Sequence, residues 1–249
     1  MPRRAAPPPS RDPDVATLAA VVADRSRAAM LEALLDGEAH AIGQLARHAG
    51  ITAATASTHL RKLVDARLVV VATAGRERRV RLASPEVAEL LERLATLAAP
   101  TAAATPAARS RAGQLRFART CYDHLAGALA IRVVAALVDR GWLHRTTDSF
   151  EPAPALFAWL AARGHPVAVS GRRPLSRACL DWSERVPHVA GRIGAALADV
   201  VLAERWVARV RDSRALRVTD RGRVGLAREL GVYSTAPIVQ SVIDRGRPR

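Results

Sequence analysis

Residues 41–66 read AIGQLARHAGITAATASTHLRKLVDA, and their pattern decides how the front of the chain folds. Ile42, Leu45 and Ala46 recur at helical spacing and share one face. Gly50 permits a sharp turn, Ile51 packs the corner, and Thr52 is placed to cap a second helix. That helix runs to about Ala66, with Leu60, Leu63 and Val64 as its buried stripe. Its other face presents Thr55, Ser57, Thr58, His59, Arg61 and Lys62. Short hydroxyls lie toward its start and cations further along. A recognition helix has this division, because small donors and acceptors enter the major groove while Arg and Lys reach phosphates.

The flanking sequence completes the unit. Residues 68–83, LVVVATAGRERRVRLA, hold a β-branched run, a turn at Ala74-Gly75, and a second run with Val80 and Leu82 alternating with charge. Arg76, Arg78, Arg79 and Arg81 crowd this hairpin, which would lie as a wing on the DNA backbone or in the minor groove. A helix over 85–98 closes the unit. Upstream, residues 15–36 are helical with a break at Asp24-Arg25-Ser26-Arg27, where Asp24 or Ser26 caps the second piece and Gly37 ends it.

Residues 14–99 resemble the ArsR/SmtB-type winged-helix repressors of bacteria. The resemblance rests on Ser57-Thr58-His59-Leu60-Arg61-Lys62-Leu63 in the second helix and on Gly75-Arg76 opening the second wing strand. It implies a homodimer, paired through its first and last helices on a palindromic operator and released by an inducer. Three positions depart from the family pattern. Arg67 stands where a glycine is usual, so the helix end is expected to lack its left-handed residue. Ala53-Ala54 replace Gln-Pro after the cap, and Val80 replaces an aromatic. Many members sense metals, some through a Cys pair in the helix before the recognition helix and others through His and carboxylates in the closing helix. Here the first of these helices has no Cys and the second has no His, so both familiar sites are absent.

The formal net charge is +15 over 249 residues, and residues 101–249 hold most of it, with 24 basic and 12 acidic side chains. A polyanion partner fits this excess. Arginine abundance is discounted, however, because 37 arginines beside the single Lys62 look like the coding of a GC-rich genome. Apolar residues at 49% support a globular chain, and aromatics at 4% mean cores built from Ala, Val and Leu. No apolar run is long enough for a bilayer, so no membrane partner is expected. Residues 1–13 are expected to be a disordered arm rather than a secretory signal. Two cysteines argue against a disulfide framework and for the cytoplasm.

Both cysteines lie in matching surroundings. Residues 119–127 read RTCYDHLAG and residues 177–191 read RACLDWSERVPHVAG. With His124 set on His188, seven of the 26 positions from 124 to 149 are identical, among them Gly127 with Gly191 and Trp142 with Trp206, and most other pairs exchange apolar residues. This is a tandem repeat. The expected class is therefore mainly α with small β-hairpin wings: a winged helix-turn-helix domain at 14–99, then a linker or helix extension at 100–114. A helical C-terminal sensor and dimerisation domain follows at 115–233, built of repeats at about 121–164 and 179–231, with a flexible tail at 234–249. The C-terminal part also resembles an extension associated with a metal-responsive branch of the family.

Cys121 and His124, three apart, would share a helical face if the segment were helical. If the copies pack by pseudo-twofold symmetry, Cys179 and His188 would join them in a two-thiolate, two-imidazole set suited to Zn, Cd or Pb as a regulatory ligand, with Asp123 and Asp181 beside them. The gap from Cys179 to His188 is nine residues, so local spacing does not repeat. A reversible thiol pair is a second reading. Buried structural cysteines, with a small molecule as inducer, are a third. The two tryptophans read as core anchors. An enzyme built on Cys121, His124 and Asp123 is disfavoured, since a nucleophile and its base usually come from different elements, and no phosphate loop or paired-carboxylate motif is present. The expected function is thus a non-enzymatic DNA-binding regulator, with a ligand-free architectural protein as the alternative.

Overall fold

A computed structural model describes residues 13–74, 77–99, 105–211 and 213–232. The N-terminal arm up to residue 12, the wing tip with Arg76, and the tail 234–249 lie outside the described residues.

The first half is a winged helix. Helix α1, Val15–Val22, is capped by Asp14, and α2, Arg25–Ala33, by Asp24, whose carboxylate accepts the Arg27 N–H at 2.9 Å. That cap is the break expected between the two helices. A 3-10 turn, Leu34–Asp36, ends at Gly37. Strand β1, His40–Ala41, leads into α3, Ile42–Ala49, and the turn at Gly50 leads into α4, Ala53–Asp65, capped by Thr52. Strands β2, Val69–Ala74, and β3, Glu77–Leu82, form the wing, and α5, Pro85–Leu97, closes the unit. The sheet runs β1-β3-β2, all antiparallel, with Val69 opposite Leu82 and His40 opposite Val80. Met30, Leu31, Leu45, Leu60, Leu63 and Leu82 bury together beneath it.

Two details differ from expectation. Val64 is 39% exposed, and Ala56 is the third inward residue of α4. Positions 56, 60 and 63 follow the i, i+4, i+7 stripe, and 64 falls at its edge. Arg67 is itself left-handed, at φ 57°, and the chain closes the helix end with a Leu68 N–H to Leu63 carbonyl bond of 2.9 Å. The expected loss of the left-handed residue is thus incorrect: tertiary context imposes the conformation on a side chain that disfavours it. Arg67→Gly should therefore raise the unfolding free energy by about 1 kcal/mol, read by denaturant titration. An unchanged midpoint would show that the left-handed Arg67 is not strained.

The second half begins with α6, Pro106–Phe117, over much of the expected linker. Two copies of one plan follow. The first runs through hairpin β4–β5 (Arg119–Cys121, His124–Ala126), helix α7 (Ala128–Asp139), hairpin β6–β7 (Leu143–Arg145, Phe150–Pro152) and helix α8 (Pro154–Ala161). The second runs through β8–β9 (Arg177–Leu180, Pro187–Ala190), α9 (Gly191–Ala203), β10–β11 (Val207–Arg209, Leu216–Val218) and α10 (Asp220–Gly225), which continues as a π-helical turn, Leu226–Leu230. Each copy thus opens on a β-hairpin rather than a helix. Helices α7 and α9 are the buried axes, which explains their nearly continuous apolar sequence.

Matching glycines make the strand-to-helix corner in both copies. Gly127 has φ 84° and Gly191 φ 81°, and a Cβ on either would meet backbone oxygens at 2.6 and 2.9 Å. The two copies also interlock: the Thr120 N–H donates to the Arg214 carbonyl at 2.9 Å, and the Leu216 N–H to the Ala118 carbonyl at 2.8 Å. Trp159 stands between Trp142 and Trp206, with ring centroids 6.0 and 6.3 Å away, in the shared core. Among the described residues, no helix is long and apolar enough to cross a membrane.

Candidate functional site

Helix α4 carries the first candidate surface. Thr52 caps it by accepting the Thr55 N–H at 3.2 Å, and the two threonine hydroxyls lie 2.9 Å apart. The Ser57 and Thr58 hydroxyls donate back to the Ala53 and Ala54 carbonyls at 2.9 and 3.4 Å. A hydroxyl that donates inward still offers its lone pairs outward. Thr52, Thr55, Ser57, Thr58, Arg61 and Lys62 are all exposed on α4, and Arg78 and Arg79 are exposed on the wing. His59 differs from the expected set. Its ring sits 3.4 Å from the Arg27 guanidinium and 3.9 Å from Asp24, only partly exposed, so it packs on the start of α2.

The second candidate is buried between the two repeats. Cys121 lies opposite His124 across β4–β5, and Cys179 opposite His188 across β8–β9. The unequal sequence gaps of three and nine residues reflect hairpin loops of different length over the same cross-strand pairing. The expectation of a shared helical face is therefore replaced by a shared register. The Cys121 and Cys179 sulfurs are 3.9 Å apart. One ligand atom from each of Cys121, His124, Cys179 and His188 falls within 4.8 Å of the others, and all four residues are buried.

Asp123 and Asp181 stand behind the imidazoles. Asp123 Oδ1 is 3.2 Å from His124 Nδ1, and Asp181 Oδ2 is 3.3 Å from His188 Nδ1. Each carboxylate is also paired with an arginine, Asp123 with Arg173 and Asp181 with Arg119, the latter at 3.0 Å with both side chains fully buried. Asp181 further accepts the Gly127 N–H of the other copy at 2.6 Å. Contact with Cys121 and the nearby imidazoles pulls the Cys179 thiol far below its ordinary value, while contact with Cys179 and burial push Cys121 up. Burial opposes charge on His124, but Asp123 and the Cys179 sulfur outweigh it and raise the ring to about 9. The Nε2 atoms of both histidines are buried and have no hydrogen-bond partner among the described residues. The set is thus two soft sulfurs and two free imidazole nitrogens, backed by neutralised carboxylates. It can bind a cation or join its sulfurs.

Sequence reasoning misses Arg119, which is wholly buried and stacks 4.5 Å over Trp182. The available signal is the repeated R-x-C-x-D, in which Arg119 matches Arg177. The copies diverge there, because Arg177 pairs instead with Glu89 of α5.

A family described as a helix-turn-helix domain matches residues 22–72. The chain is 37% identical over 223 residues to an uncharacterized HTH-type transcriptional regulator, YdfF, of Bacillus subtilis, covering 89% of this chain and 99% of that one. It is 40% identical over 84 residues to the HTH-type transcriptional regulator CmtR of Mycobacterium tuberculosis, 34% of this chain and 70% of that protein. The solution structure of the cadmium metal-sensor CMTR from that organism is 36% identical over 37% of this chain and 95% of its own, with a TM-score of 0.31. From the match along nearly all of YdfF, and from the winged helix described above, the chain belongs to the HTH-type transcriptional regulators.

Proposed function

We propose that this regulator is a cytoplasmic, homodimeric repressor that holds a palindromic operator through α4 and its wing and is released by an inducer bound in its C-terminal half. In this reading residues 14–99 bind DNA and residues 115–233 sense the inducer and help build the dimer. Thr52, Thr55, Ser57 and Thr58 face bases, while Arg61, Lys62, Arg78 and Arg79 face phosphates. The inducer is a soft metal ion, of the class of zinc, cadmium or lead. The observation that carries the reading is the convergence of two thiols and two imidazoles, from two separate hairpins, in the half of the chain that does not hold α4.

The DNA face is tested by Arg61→Ala with Lys62→Ala. Binding to the chain's own promoter DNA should weaken about tenfold or more, and the slope of log affinity against log salt should fall by about one for each phosphate no longer neutralised. A double variant with the parent's affinity and slope would remove α4 from the interface. A footprint without sequence preference would favour an architectural role.

The sulfur separation favours a second reading, in which the thiol pair is itself the sensor. Peroxide would oxidise the two thiols to one disulfide, with two waters as products, and would release DNA without added metal. Parallel titrations of the DNA complex with peroxide and with Cd²⁺ separate the two readings.

A further inference from the structure

The buried centre has three features that a closed protein core does not need. First, two imidazole nitrogens, Nε2 of His124 and Nε2 of His188, are buried without a hydrogen-bond partner among the described residues. Buried polar atoms are ordinarily paired, and an orphan calls for an explanation. A disulfide between Cys121 and Cys179 would leave these nitrogens as they are, whereas a cation would satisfy one on each ring. Second, the Nδ1 atom of each ring faces a carboxylate, which fixes Nε2 as the outward donor in both copies. Ligating histidines are usually oriented in this way by an outer carboxylate. Third, the charges balance for one particular kind of ion. Both carboxylates already have arginine partners, so two thiolates carry the net charge of the donor set, and a dication renders it neutral. Burying a neutral complex avoids the cost of an unpaired charge. The 3.9 Å between sulfurs is close to the edge of a tetrahedron with metal–sulfur bonds of about 2.3 Å, which is about 3.8 Å.

The centre is also joined to the DNA-binding unit. The two-residue turn between Cys121 and His124 begins with Tyr122, left-handed at φ 62°. Its N–H donates to the Leu35 carbonyl at 2.7 Å, and its side chain packs on the core of the winged helix. Gly37 lies directly beneath, where a Cβ would collide with the Tyr122 carbonyl oxygen. The 3-10 turn containing Leu35 packs in turn on wing strand β3. The hairpin that supplies two of the four donors is therefore seated, at its tip, on the element behind the wing.

We infer that a four-coordinate dication of the zinc class, held by Sγ of Cys121 and Cys179 and Nε2 of His124 and His188, is read by the winged helix through the Tyr122 turn. This rests on the proposal that the centre is the inducer site. An ion that draws β4–β5 and β8–β9 together shifts the tip on Leu35 and Gly37, and with it the angle of the wing.

The full-length protein is titrated with Cd²⁺, following thiolate-to-metal absorption in the ultraviolet, and its affinity for promoter DNA is measured at each step. The parent is expected to take up one ion per chain and to lose about tenfold or more in DNA affinity. Tyr122→Gly keeps the left-handed backbone and removes the side chain from its seat. It should bind Cd²⁺ as the parent does, keep the ion-free DNA affinity, and lose less than about threefold on loading. Tyr122→Asn, which also tolerates the left-handed backbone and is too short to fill the seat, should do the same, and a thermal melt of each variant confirms folding. If both folded variants release DNA as the parent does, the Tyr122 route is overturned while the ion site stands. If the parent takes up no ion, both the site and the inducer reading fall.

Discussion

Asp181→Ala is expected to lower the unfolding free energy by about 3–5 kcal/mol, the range for breaking a buried ion pair from one side. Asp181 is fully buried, and its two oxygens serve different elements. One accepts the Gly127 N–H at 2.6 Å and pairs with Arg119 at 3.0 Å. The other accepts the Ser183 N–H at 2.9 Å and its hydroxyl at 2.7 Å, which shapes the loop between β8 and β9. Alanine would leave the Arg119 guanidinium at 0% exposure with the Leu115 carbonyl, the Ser183 hydroxyl and the Trp182 face as company, and no counter-charge within bonding distance among the described residues. Asp123→Ala is the matched control from the other repeat. Its arginine partner, Arg173, is 34% exposed, so water replaces the missing carboxylate there, and the buried His124 can shed its proton, so the cost should stay well below that of Asp181→Ala. Urea titrations of the two ion-free variants give the comparison directly. Equal losses would mean that Arg119 finds another partner and that burial is not what makes Asp181 matter.

These two aspartates also mark how far the sequence can be read. The helix-turn-helix is legible because each signal is local: apolar spacing in α3 and α4, a threonine cap, and a β-branched hairpin. His59 is not, since its contact with Arg27 and Asp24 joins residues more than thirty positions apart. The repeat is legible from aligned identities, and Gly127 and Gly191 do stand at equivalent corners. What the repeat does not reveal is that each copy opens on a hairpin. Three residues from Cys121 to His124 fit a helical turn as well as a two-residue hairpin, and only cross-strand register reconciles them with the nine from Cys179 to His188. Asp123 and Asp181 stand in the sequence among the candidates of the centre. In space they back the histidines, and the arginines that neutralise them come from outside the repeated motif, as with Arg173, or from the opposite copy, as with Arg119. Such partners belong to tertiary packing, which no local pattern encodes.

Cys179→Ser is expected to weaken Cd²⁺ binding by more than about a hundredfold, beyond the span usual for removal of an outer-shell partner. Serine keeps nearly the same shape but offers a hard oxygen that stays protonated, so a soft ion loses both a preferred donor and one of two balancing charges. Cys121→Ser should do the same, because a four-coordinate ion needs both. Competition against a chelator of known affinity measures the drop in each variant. An ion-free melt is run beside it, since a hydroxyl buried in place of sulfur costs about 1–3 kcal/mol when unpaired. That cost falls on the folded protein with or without metal, and so does not imitate a weaker ion site. Asp123→Asn supplies the graded comparison: it keeps the shape behind His124 but removes the charge that orients the ring, and a drop of about tenfold to a hundredfold is expected. The order Ser variants below Asp123→Asn below parent is what a Cys₂His₂ ion site requires. If Cys179→Ser bound Cd²⁺ as tightly as the parent, the ion would sit elsewhere, and the paired hairpins would hold their cysteines together for packing alone.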